Sequence, residues 1–581
     1  MIRLTPYEQK MLDGEYGAAK QVALQKIIDY ARILGAEELV PITKAHLCCG
    51  STCEPSDFPD GNLDRPDILA MGYHDWQTKL KCPGMDPATF NSFNESTFVI
   101  DDVHCCDTFQ WQWTQQTREF YENNQHILAD AAARGVVIGS TCAPYLAGWL
   151  PVMGEYFVTT ESSNVLYCNS VLGARGYGGG GNTTFCAAIC GRAPKWGLHL
   201  PENRHGTHVF HLACDTKNKT DWDLLGAAVG RRLAPNAVPV ICGDFERPNL
   251  IKLKSFFTAL AVTSGCELCL IVGVSPEAQT YEMAMGGHEP VAEFTITNEI
   301  LQSYWDEICC KVSGPADYLQ IGCPNCSAEE LVRIWRYMNG RKVKEGVRFC
   351  VFTNIAQYAM AEQSHIIQDL KDWGVEVLTS GCILRTINVA KGAKSIGLSS
   401  FKLCNGSKDE RTVPSITAPM SRSSMLPSAV IGRLNGDMSK NKIIKGRPAW
   451  GPMVEGYAFV CPNSIVGWNG ADVKTGIVTE KGNVHYGDSF AGKIIVMPCS
   501  RGSLGWSDMF RNSEYNGVGP IGYVFTTMDS KCGTAIFNTR RPCVADFPAN
   551  CDPCKEIHDG DYIRLDGING TVEILTPVEE K

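Results

Sequence analysis

Three cysteines occupy equivalent positions after predicted strands, where α/β proteins commonly place reactive side chains. Cys142 lies in IGSTCAPYLAG, Cys323 in YLQIGCPNCSAEEL and Cys382 in VEVLTSGCILR. The carboxyl ends of parallel strands meet at one edge of a sheet, so these thiols could converge. A predicted helix begins just after Cys323, and a helix amino terminus favours the thiolate form that binds metals. The three cysteines are therefore candidate metal ligands, and the alternative for each is a buried structural thiol.

A second group of candidate residues lies in the stretch VMPCSRGSLGWSDM. Ser500, Arg501 and Ser503 stand in a glycine-containing turn after a predicted buried strand, and such a turn exposes side chains and backbone N–H groups together. Arg501 could hold a carboxylate through two parallel hydrogen bonds. Ser503 could act as a base if its alkoxide were stabilised. The alternative is an ordinary capped helix start with an exposed arginine.

The run GARGYGGGGNTT suggests dinucleotide binding, a third kind of chemistry. Gly176, Gly178 and Gly181 fit the pattern G-x-G-x-x-G, and Glu202 follows at the distance of about 20 residues expected for a ribose contact. The preceding segment NVLYCNSV predicts a buried strand. The pattern also requires its glycines to open a helix, whereas this run continues GGNTT. The match therefore remains weak from the sequence.

Two CxxC pairs offer an alternative metal site. Cys323 and Cys326 form CPNC, and Cys551 and Cys554 form CDPC. Together they could bind zinc through four thiolates. The two pairs lie far apart in the sequence and in different predicted domains, which argues against this alternative.

The elements that would position these residues alternate between helical and β patterns from residue 7 to about residue 405, which is typical of α/β layers with parallel strands. YEQKMLDGEYGAAKQVALQKIIDYARILG is amphipathic and predicts helical structure ending at Gly35. Ser327 and Glu330 form a capping box at the start of a helix. The most apolar stretch, FFTALAVTSGCELCLIVGV, is interrupted by Glu267 and predicts a buried helix and strand rather than a membrane span.

The chain changes character after the predicted large α/β domain of residues 1–405. Residues 406–440 are polar and rich in serine and proline, which predicts a linker. Residues 441–581 are β-rich and punctuated by glycine, which predicts a smaller domain.

The composition of the whole chain excludes several classes of protein. Its 581 residues are 44% hydrophobic and 20% charged, which is typical of a globular protein. A net charge of −10 argues against a nucleic-acid surface. The amino-terminal residues carry charges where a secretory signal would be apolar. We therefore expect a cytoplasmic protein without membrane or nucleic-acid partners, whose 27 cysteines are mostly reduced.

Several of these motifs together resemble the aconitase X family. The amino-terminal stretch EYGAAKQVALQKIIDYARILGAEELVPI and the motifs STCAPYLAG, ESSNVLYCNSVLGARGYGGG, GLHLPENR, IGCPNCSAEEL and GVEVLTSGC resemble its large subunit. GADVKTGIVTEKGNVHYGDSFAGKIIVMPCSRGS and GPIGYVFTTMD resemble its small subunit. The resemblance covers nearly the whole chain in order, with both parts fused in one chain.

The resemblance implies an aconitase-like, multi-layer α/β large domain followed by a smaller, β-rich, swivelling α/β domain. It implies a dehydratase with an iron–sulfur cluster, of the 2Fe–2S type in the single-chain branch, bound by Cys142, Cys323 and Cys382. It also implies that Ser503 is the base that abstracts a proton. The substrate contacts that it implies are Ser51, Glu161, Ser162, Lys402 and Arg501. The glycine run would then shape an active-site loop next to Glu161 and Ser162 rather than bind a pyrophosphate.

The family divides into two-chain mevalonate 5-phosphate dehydratases and single-chain cis-3-hydroxy-L-proline dehydratases. The fused chain favours the second, which would form Δ1-pyrroline-2-carboxylate from a hydroxy amino acid. The segments CCGS and KLKCPGMD depart from the two-chain pattern, which argues against the phosphorylated substrate. Another hydroxy-acid dehydratase, a nicotinamide oxidoreductase and a non-catalytic metal-binding protein remain alternatives. We expect a monomer or a small homo-oligomer.

Overall fold

A computed structural model describes residues 2–47, 84–93, 129, 132–139, 141–308, 316–379, 395–406, 412–414, 442–467 and 470–576. Ser51 and Cys382, two of the residues expected in the active site, lie outside these ranges. Most of the expected linker of residues 406–440 lies outside them as well.

The amino-terminal part of the chain is built on a five-stranded parallel sheet. In spatial order, its strands are Val136–Val137, Phe90–Phe93, Lys44–Leu47, Tyr156–Thr159 and Arg175–Gly178. Its described helices are Pro6–Leu12, Ala18–Leu34, Ser162–Val171 and Gly181–Cys190. A short antiparallel pair joins Leu39–Pro41 to Arg192–Pro194. Leu24, Ile28 and Phe185 pack with the buried side chains of the sheet in one hydrophobic core.

Two further parallel sheets follow in the large domain. The four-stranded sheet has the order Leu270–Ile271, Pro239–Gly243, His208–Ala213 and Ala292–Thr297. The five-stranded sheet has the order Val375–Thr379, Arg348–Thr353, Tyr318–Cys326, Ile396–Leu398 and Thr412–Pro414. The helices of these two parts are Lys219–Gly230, Leu250–Thr263, Tyr281–Met285, Asn298–Ile308, Ala328–Met338, Ile355–Gln363, Ile366–Asp372 and Phe401–Gly406. One hydrophobic core, which includes Phe256, Phe352 and Leu398, is shared by both sheets.

The carboxyl-terminal part is built on an eight-stranded mixed sheet. Its order is Lys442–Lys445, Thr571–Thr576, Tyr562–Asp566, Met453–Val460, Ile494–Met497, Gly522–Phe525, Cys543–Ala545 and Arg447–Trp450. The four strands from Met453–Val460 to Cys543–Ala545 are mutually parallel. The helices are Gly505–Tyr515, Ser530–Thr539 and Pro553–Glu556. Together with the parallel sheets of the large domain, this arrangement confirms the predicted α/β class.

Local sequence signals account for several helix ends. The Ala18–Leu34 helix ends at Gly35, whose φ of +82° is the left-handed conformation that favours glycine. Ser327 Oγ accepts from the Glu330 N–H while the Glu330 carboxylate accepts from the Ser327 N–H, so the predicted capping box is confirmed. The most apolar stretch forms a buried helix and a short strand, as predicted. No helix within the described ranges combines the length and hydropathy needed to cross a bilayer.

Two local predictions around the glycine run are wrong. NVLYCNSV lies in the Ser162–Val171 helix rather than in a strand. Residues 162 to 170 are all buried, so the sequence shows no amphipathic period by which the helix could be recognised. The glycine run does open a helix, since the Arg175–Gly178 strand is followed directly by Gly181–Cys190 with Gly180 as its N-cap. Tertiary packing of this buried helix outweighs its weak intrinsic propensity.

The amino-terminal and carboxyl-terminal parts share a hydrophobic core. Tyr30, Ile33 and Tyr177 pack in one cluster with Phe537 and other buried residues of the small domain. The hydroxyl group of Tyr30 also donates a hydrogen bond to the carbonyl oxygen of Ser530 over 3.2 Å. The small domain therefore packs against the first sheet and its helices.

Candidate active site

Cys142 and Cys323, two of the three expected cluster ligands, lie in segments that contact each other. Each lies at or just beyond the irregular carboxyl end of a strand. The backbone N–H of Asn325 donates a hydrogen bond to Cys142 Sγ over 3.4 Å. The hydroxyl group of Thr141 donates to the side-chain oxygen of Asn325 over 2.7 Å. The structure therefore brings the Cys142 and Cys323 segments together, whereas Cys382 lies outside the described residues.

These two thiols differ from the neighbouring Cys326. Cys142 and Cys323 are each 8% exposed, whereas Cys326 is fully buried. Burial and the nearby Glu330 carboxylate raise the pKa of the Cys326 thiol far above its ordinary value. Because a metal ligand must be a thiolate, Cys326 is disfavoured as a ligand.

The alternative of a zinc site from the two CxxC pairs gains no support. All four of their cysteines are described, and Cys551 and Cys554 lie in the small domain beside the Pro553–Glu556 helix. Within the described part of the chain, no three His, Cys, Asp or Glu side chains are grouped as metal ligands would be.

Two lysines that the sequence did not single out lie beside Cys323; Lys254 is buried and Lys219 is partly exposed. Lys254 Nζ donates to the carbonyl oxygen of Asn325 over 2.6 Å and pairs with the Glu330 carboxylate over 2.7 Å. Lys219 and Lys254 line a small cavity beside Cys323. Positive charge near a thiol favours its thiolate form. The available signal was the presence of two lysines, Lys252 and Lys254, within the largely apolar helix LIKLKSFFTALAVT.

Glu161, Ser162 and Lys402, three of the expected substrate contacts, form one buried polar group. Glu161 caps the helix that starts at Ser162, and its Oε1 accepts from the backbone N–H and the hydroxyl group of Ser163 over 3.4 and 3.1 Å. Lys402 Nζ lies 3.5 Å from the same oxygen, and the two charged side chains are only 9% and 10% exposed. Ser162 Oγ is buried and has no hydrogen-bond partner among the described residues. The group therefore combines a carboxylate, an ammonium and an unpartnered hydroxyl.

The glycine run lies beside this group and allows unusually close packing. A Cβ atom on Gly176 would come 2.4 Å from the ring of Phe157 on the adjacent strand. A Cβ atom on Gly178 would come 2.4 Å from Leu504, and one on Gly180 would come 2.2 Å from Thr534. The space next to these three glycines is thus filled by the protein's own side chains, which argues against a pyrophosphate there.

The turn that carries Ser503 is fixed by hydrogen bonds to both domains. Within the small domain, the N–H of Ser500 donates to the Asp529 carboxylate over 2.9 Å. Across the domain boundary, the N–H of Gly502 donates to the carbonyl oxygen of Ser264 over 3.1 Å. Ser503 is 6% exposed. The following helix has Leu504 as its N-cap, without a side-chain capping bond, so the alternative of an ordinary capped helix start does not hold.

Arg501 is held by the small domain through one edge of its guanidinium group. Its Nε and Nη2 atoms donate to the carbonyl oxygens of Asn463 and Ser464 over 3.0 and 3.4 Å. Nη2 also pairs with the carboxylate of Glu480. Nη1 makes no hydrogen bond within the described part of the chain, so it is the nitrogen available for a substrate carboxylate. Glu480 lies in the quoted stretch GADVKTGIVTEKG, but nothing in its local sequence indicated that it would pair with Arg501.

The Ser503 turn and the Glu161 group meet at the glycine run. Leu504 contacts Gly178, which pairs with Thr159 on the neighbouring strand, two residues before Glu161. Both groups therefore border the same junction between the domains. The side chains brought to this junction can bind opposite charges and present a hydroxyl group as a proton acceptor.

Four family models match the chain in succession. They are described as the Aconitase X first domain (residues 1–202), second domain (206–306), third domain (316–416) and swivel domain (443–574). The first three together span the region that the sequence analysis treated as one large domain.

The chain is similar to proteins that are named for two dehydratase activities. A "Cis-3-hydroxy-L-proline dehydratase" of Hypocrea jecorina is 32% identical over 386 residues, which are 66% of this chain and 61% of that protein. The chain thus matches less than two thirds of this relative's length. A "Phosphomevalonate dehydratase large subunit" of Methanocaldococcus jannaschii is 26% identical over 69% of this chain and 93% of that protein. A "Phosphomevalonate dehydratase small subunit" of Methanocella arvoryzae is 30% identical over 22% of this chain and 98% of that protein.

One solved structure shares the fold. The crystal structure of Thermococcus kodakaraensis aconitase X in its holo-form matches with a TM-score of 0.58 and 24% sequence identity, over 70% of this chain and 94% of that chain. The order of the four matched domains, the similar dehydratases and the shared fold agree with one another. The chain belongs to the aconitase X family.

Proposed function

We propose that this protein is a hydro-lyase that dehydrates cis-3-hydroxy-L-proline to Δ1-pyrroline-2-carboxylate. The observation that carries the proposal is that a single chain holds both the Ser503 turn and the buried group of Glu161, Ser162 and Lys402. Leu504, next to Ser503, packs on Gly178, whose strand partner Thr159 lies two residues before Glu161. The relative that is 32% identical bears the name of this activity. The chain also holds, fused together, matches to both a large and a small subunit.

The charges at the junction suit a zwitterionic amino acid. Hydroxyproline carries a cationic ring ammonium and an anionic carboxylate. Glu161 offers a buried carboxylate to the ammonium, and Nη1 of Arg501 offers a fixed cationic donor to the carboxylate. Lys402, already 3.5 Å from Glu161, neutralises that carboxylate while the substrate is absent. The unpartnered hydroxyl group of Ser162 can donate to a substrate oxygen.

Ser503 serves as the base that takes the proton from C2 of the substrate. A serine hydroxyl is a weak base at neutral pH, so the site must stabilise its alkoxide. Arg501 places a positive charge two residues away, and the backbone N–H groups of the glycine turn can add donors. The turn is held in place by Asp529 on one side and by Ser264 on the other. Preorganised charge of this kind lowers the barrier without reorganisation during the reaction.

The residues around Cys142 and Cys323 fit an iron–sulfur cluster as far as they are described. Cys142 and Cys323 are nearly buried, and a backbone N–H group donates to Cys142 Sγ, which stabilises a thiolate. We propose that they hold the cluster together with Cys382. A bound cluster would supply a Lewis acid, which would assist departure of the C3 hydroxyl group. The cluster type remains the 2Fe–2S prediction from the resemblance.

Loss of the C2 proton and of the C3 hydroxyl group gives an enamine. This product tautomerises to Δ1-pyrroline-2-carboxylate without a redox cofactor, so no nicotinamide is needed. Occupation of the space beside Gly176, Gly178 and Gly180 by protein side chains is consistent with this chemistry.

A substrate screen tests the proposal. Anaerobically purified protein is incubated separately with cis-3-hydroxy-L-proline, its trans isomer and mevalonate 5-phosphate, and products are followed by NMR. Conversion of the cis isomer alone is the expected result. Turnover of mevalonate 5-phosphate instead would favour the second candidate, which is named in several relatives. A visible spectrum of the same sample is expected to show the broad absorption of an iron–sulfur cluster, whereas a colourless protein would overturn the cluster assignment.

A further inference from the structure

Cys242, His211 and Glu293 form a cluster on the second sheet, away from the proposed active site. They lie on the adjacent parallel strands Pro239–Gly243, His208–Ala213 and Ala292–Thr297. In the register of the sheet, His211 is directly opposite Cys242 on one side and Thr295 on the other. Glu293 precedes Thr295 by two residues, so its side chain emerges from the same face of the sheet as that of His211.

The three side chains are joined through the imidazole ring. His211 Nε2 lies 2.8 Å from Glu293 Oε2, and His211 Nδ1 lies 3.3 Å from Cys242 Sγ. An ionised carboxylate can only accept a hydrogen bond, so the proton of a neutral imidazole resides on Nε2. Nδ1 then presents its lone pair to the thiol. This order of carboxylate, imidazole and nucleophile is the arrangement in which histidine acts as a general base.

The surroundings of Cys242 make such a base necessary. Burial and the Glu293 carboxylate raise the pKa of the Cys242 thiol above its ordinary value. Tyr281 interacts with the same residues: desolvation, followed by the charges of Glu293 and Cys242, raises the pKa of its hydroxyl group. The thiol additionally lies 3.6 Å from the carbonyl oxygen of Phe210, a second acceptor. Without assistance, Cys242 would therefore react slowly at neutral pH.

Solvent reaches the side chains of Cys242, His211 and Glu293. The side chains of His211 and Glu293 are 48% and 53% exposed, and Cys242 is partly exposed. The other partly exposed cysteines within the described ranges are Cys214, Cys551 and Cys554. None of these three has a hydrogen bond to a histidine among the described residues, so Cys242 is distinguished by its base.

We propose that Cys242 is a nucleophilic thiol that exchanges with low-molecular-weight disulfides, with His211 as its general base and Glu293 as the group that orients the imidazole. His211 Nδ1 takes the thiol proton as Cys242 Sγ attacks one sulfur of the disulfide. A new S–S bond forms to Cys242, and the S–S bond of the disulfide breaks. The departing thiolate takes the proton from the imidazolium. The products are a mixed disulfide on Cys242 and one free thiol, so no other oxidant is needed.

The test uses the full-length protein and a dipyridyl disulfide, and it identifies the modified cysteines by peptide mass spectrometry after timed quenching. His211→Gln removes the base and keeps a polar side chain on the exposed face. His288→Gln is the matched control, because His288 is also exposed and lies against His205 rather than a cysteine. At pH 7.5, Cys242 is expected to react faster than Cys214 or Cys551. His211→Gln should slow Cys242 by about 100-fold, the lower end of general-base effects, while His288→Gln leaves its rate unchanged.

The pH profile separates base assistance from mere exposure. In the unmodified protein, the rate at Cys242 should depend less steeply on pH than in His211→Gln, because the imidazole takes the thiol proton. In His211→Gln, it should keep rising through pH 9, because the thiol must ionise unaided. Glu293→Gln should give an intermediate rate, because the imidazole loses its anionic partner. Equal rates in the unmodified protein and His211→Gln, or a Cys242 rate no faster than that of Cys214, would overturn the proposal.

Discussion

Gly178 and Leu504 pack so closely that a Cβ atom on Gly178 would come 2.4 Å from Leu504 Cδ2. Real Cβ atoms do not approach other atoms to this distance. Gly178 ends a strand of the large domain, and Leu504 follows Ser503 in the small domain. The missing side chain therefore allows the Ser503 turn to lie against the large domain.

Replacement of this glycine should disturb the junction more than the fold. We expect Gly178→Ala to lower the free energy of unfolding by about 1–3 kcal/mol, as is typical of overpacking. The fall in kcat should exceed the fall that the loss of folded protein explains, because the new methyl group pushes Leu504, and with it Ser503, away from the substrate. Thermal denaturation and kcat measured on the same sample check this. Adding Leu504→Ala should restore part of the activity, and a Gly178→Ala variant with full turnover would contradict the account.

A chain divided near residue 420 should remain associated. Tyr30, Ile33 and Tyr177 of the large domain pack in the same core as Phe537 of the small domain. We therefore expect co-expressed fragments to co-purify, and separately expressed fragments to be inactive alone and to recover activity when mixed. Size-exclusion chromatography and the substrate assay provide the measurement. Full activity of the large fragment by itself would show that Ser503 is not required.

Glu267 should make stability depend on pH. Burial raises the pKa of this carboxyl group from 4.5 to about 7. The Lys531 charge and the hydrogen bonds from Ser530 and Gly178 partly offset this rise in pKa, and the Asp529 charge adds to it. Between these two values the folded state keeps the proton and the unfolded state has lost it. The free energy of unfolding should therefore decrease as pH rises from about 4.5 to 7 and then become constant, by a total on the order of 3 kcal/mol.

The variant Glu267→Gln isolates this contribution. Glutamine imitates the protonated carboxyl group but does not titrate, so any constant effect on Lys531 cancels in a comparison across pH. The stability of the unmodified protein relative to Glu267→Gln should fall between pH 5 and pH 8 in urea denaturation. A difference that is the same at both pH values would show that Glu267 does not carry a raised pKa.

Much of the fold could be predicted because its signals are local. The capping box of Ser327 and Glu330 and the left-handed Gly35 depend on neighbouring residues, and alternating helices and strands indicated the α/β class. The Ser162–Val171 helix could not be predicted, because a fully buried helix lacks the polar positions that reveal its period.

The site could be predicted in part, through residues with a recognisable motif. Glu161, Ser162 and Lys402 were expected and lie together. The residues that hold the Ser503 turn were not predicted. Ser264 lies more than 200 positions away in the sequence, and Asp529 is identified only by its hydrogen bond to the backbone of Ser500 in the structure. Long-range hydrogen bonds of this kind leave no local pattern.

The cluster assignment predicts different outcomes for the three expected ligands and for the neighbouring Cys326. Cys142→Ser, Cys323→Ser and Cys382→Ser should each lose nearly all bound iron and sulfide, because the cluster loses a ligand. Cys326→Ala is the matched control and should retain both, since Cys326 is fully buried and its thiol is held protonated. Iron and sulfide analysis of anaerobic samples gives the answer. Full retention in Cys382→Ser would remove that residue from the ligand set.

The central claim is that Ser503 removes the C2 proton of cis-3-hydroxy-L-proline. The most direct measurement is NMR detection of deuterium exchange at C2 and of product formation in deuterated water, for the unmodified protein and for Ser503→Ala. The variant should keep its visible spectrum and bind substrate, while exchange and turnover both fall by about 1000-fold or more. Exchange at the unmodified rate in Ser503→Ala would contradict the claim and make Glu161 the next residue to test as the base.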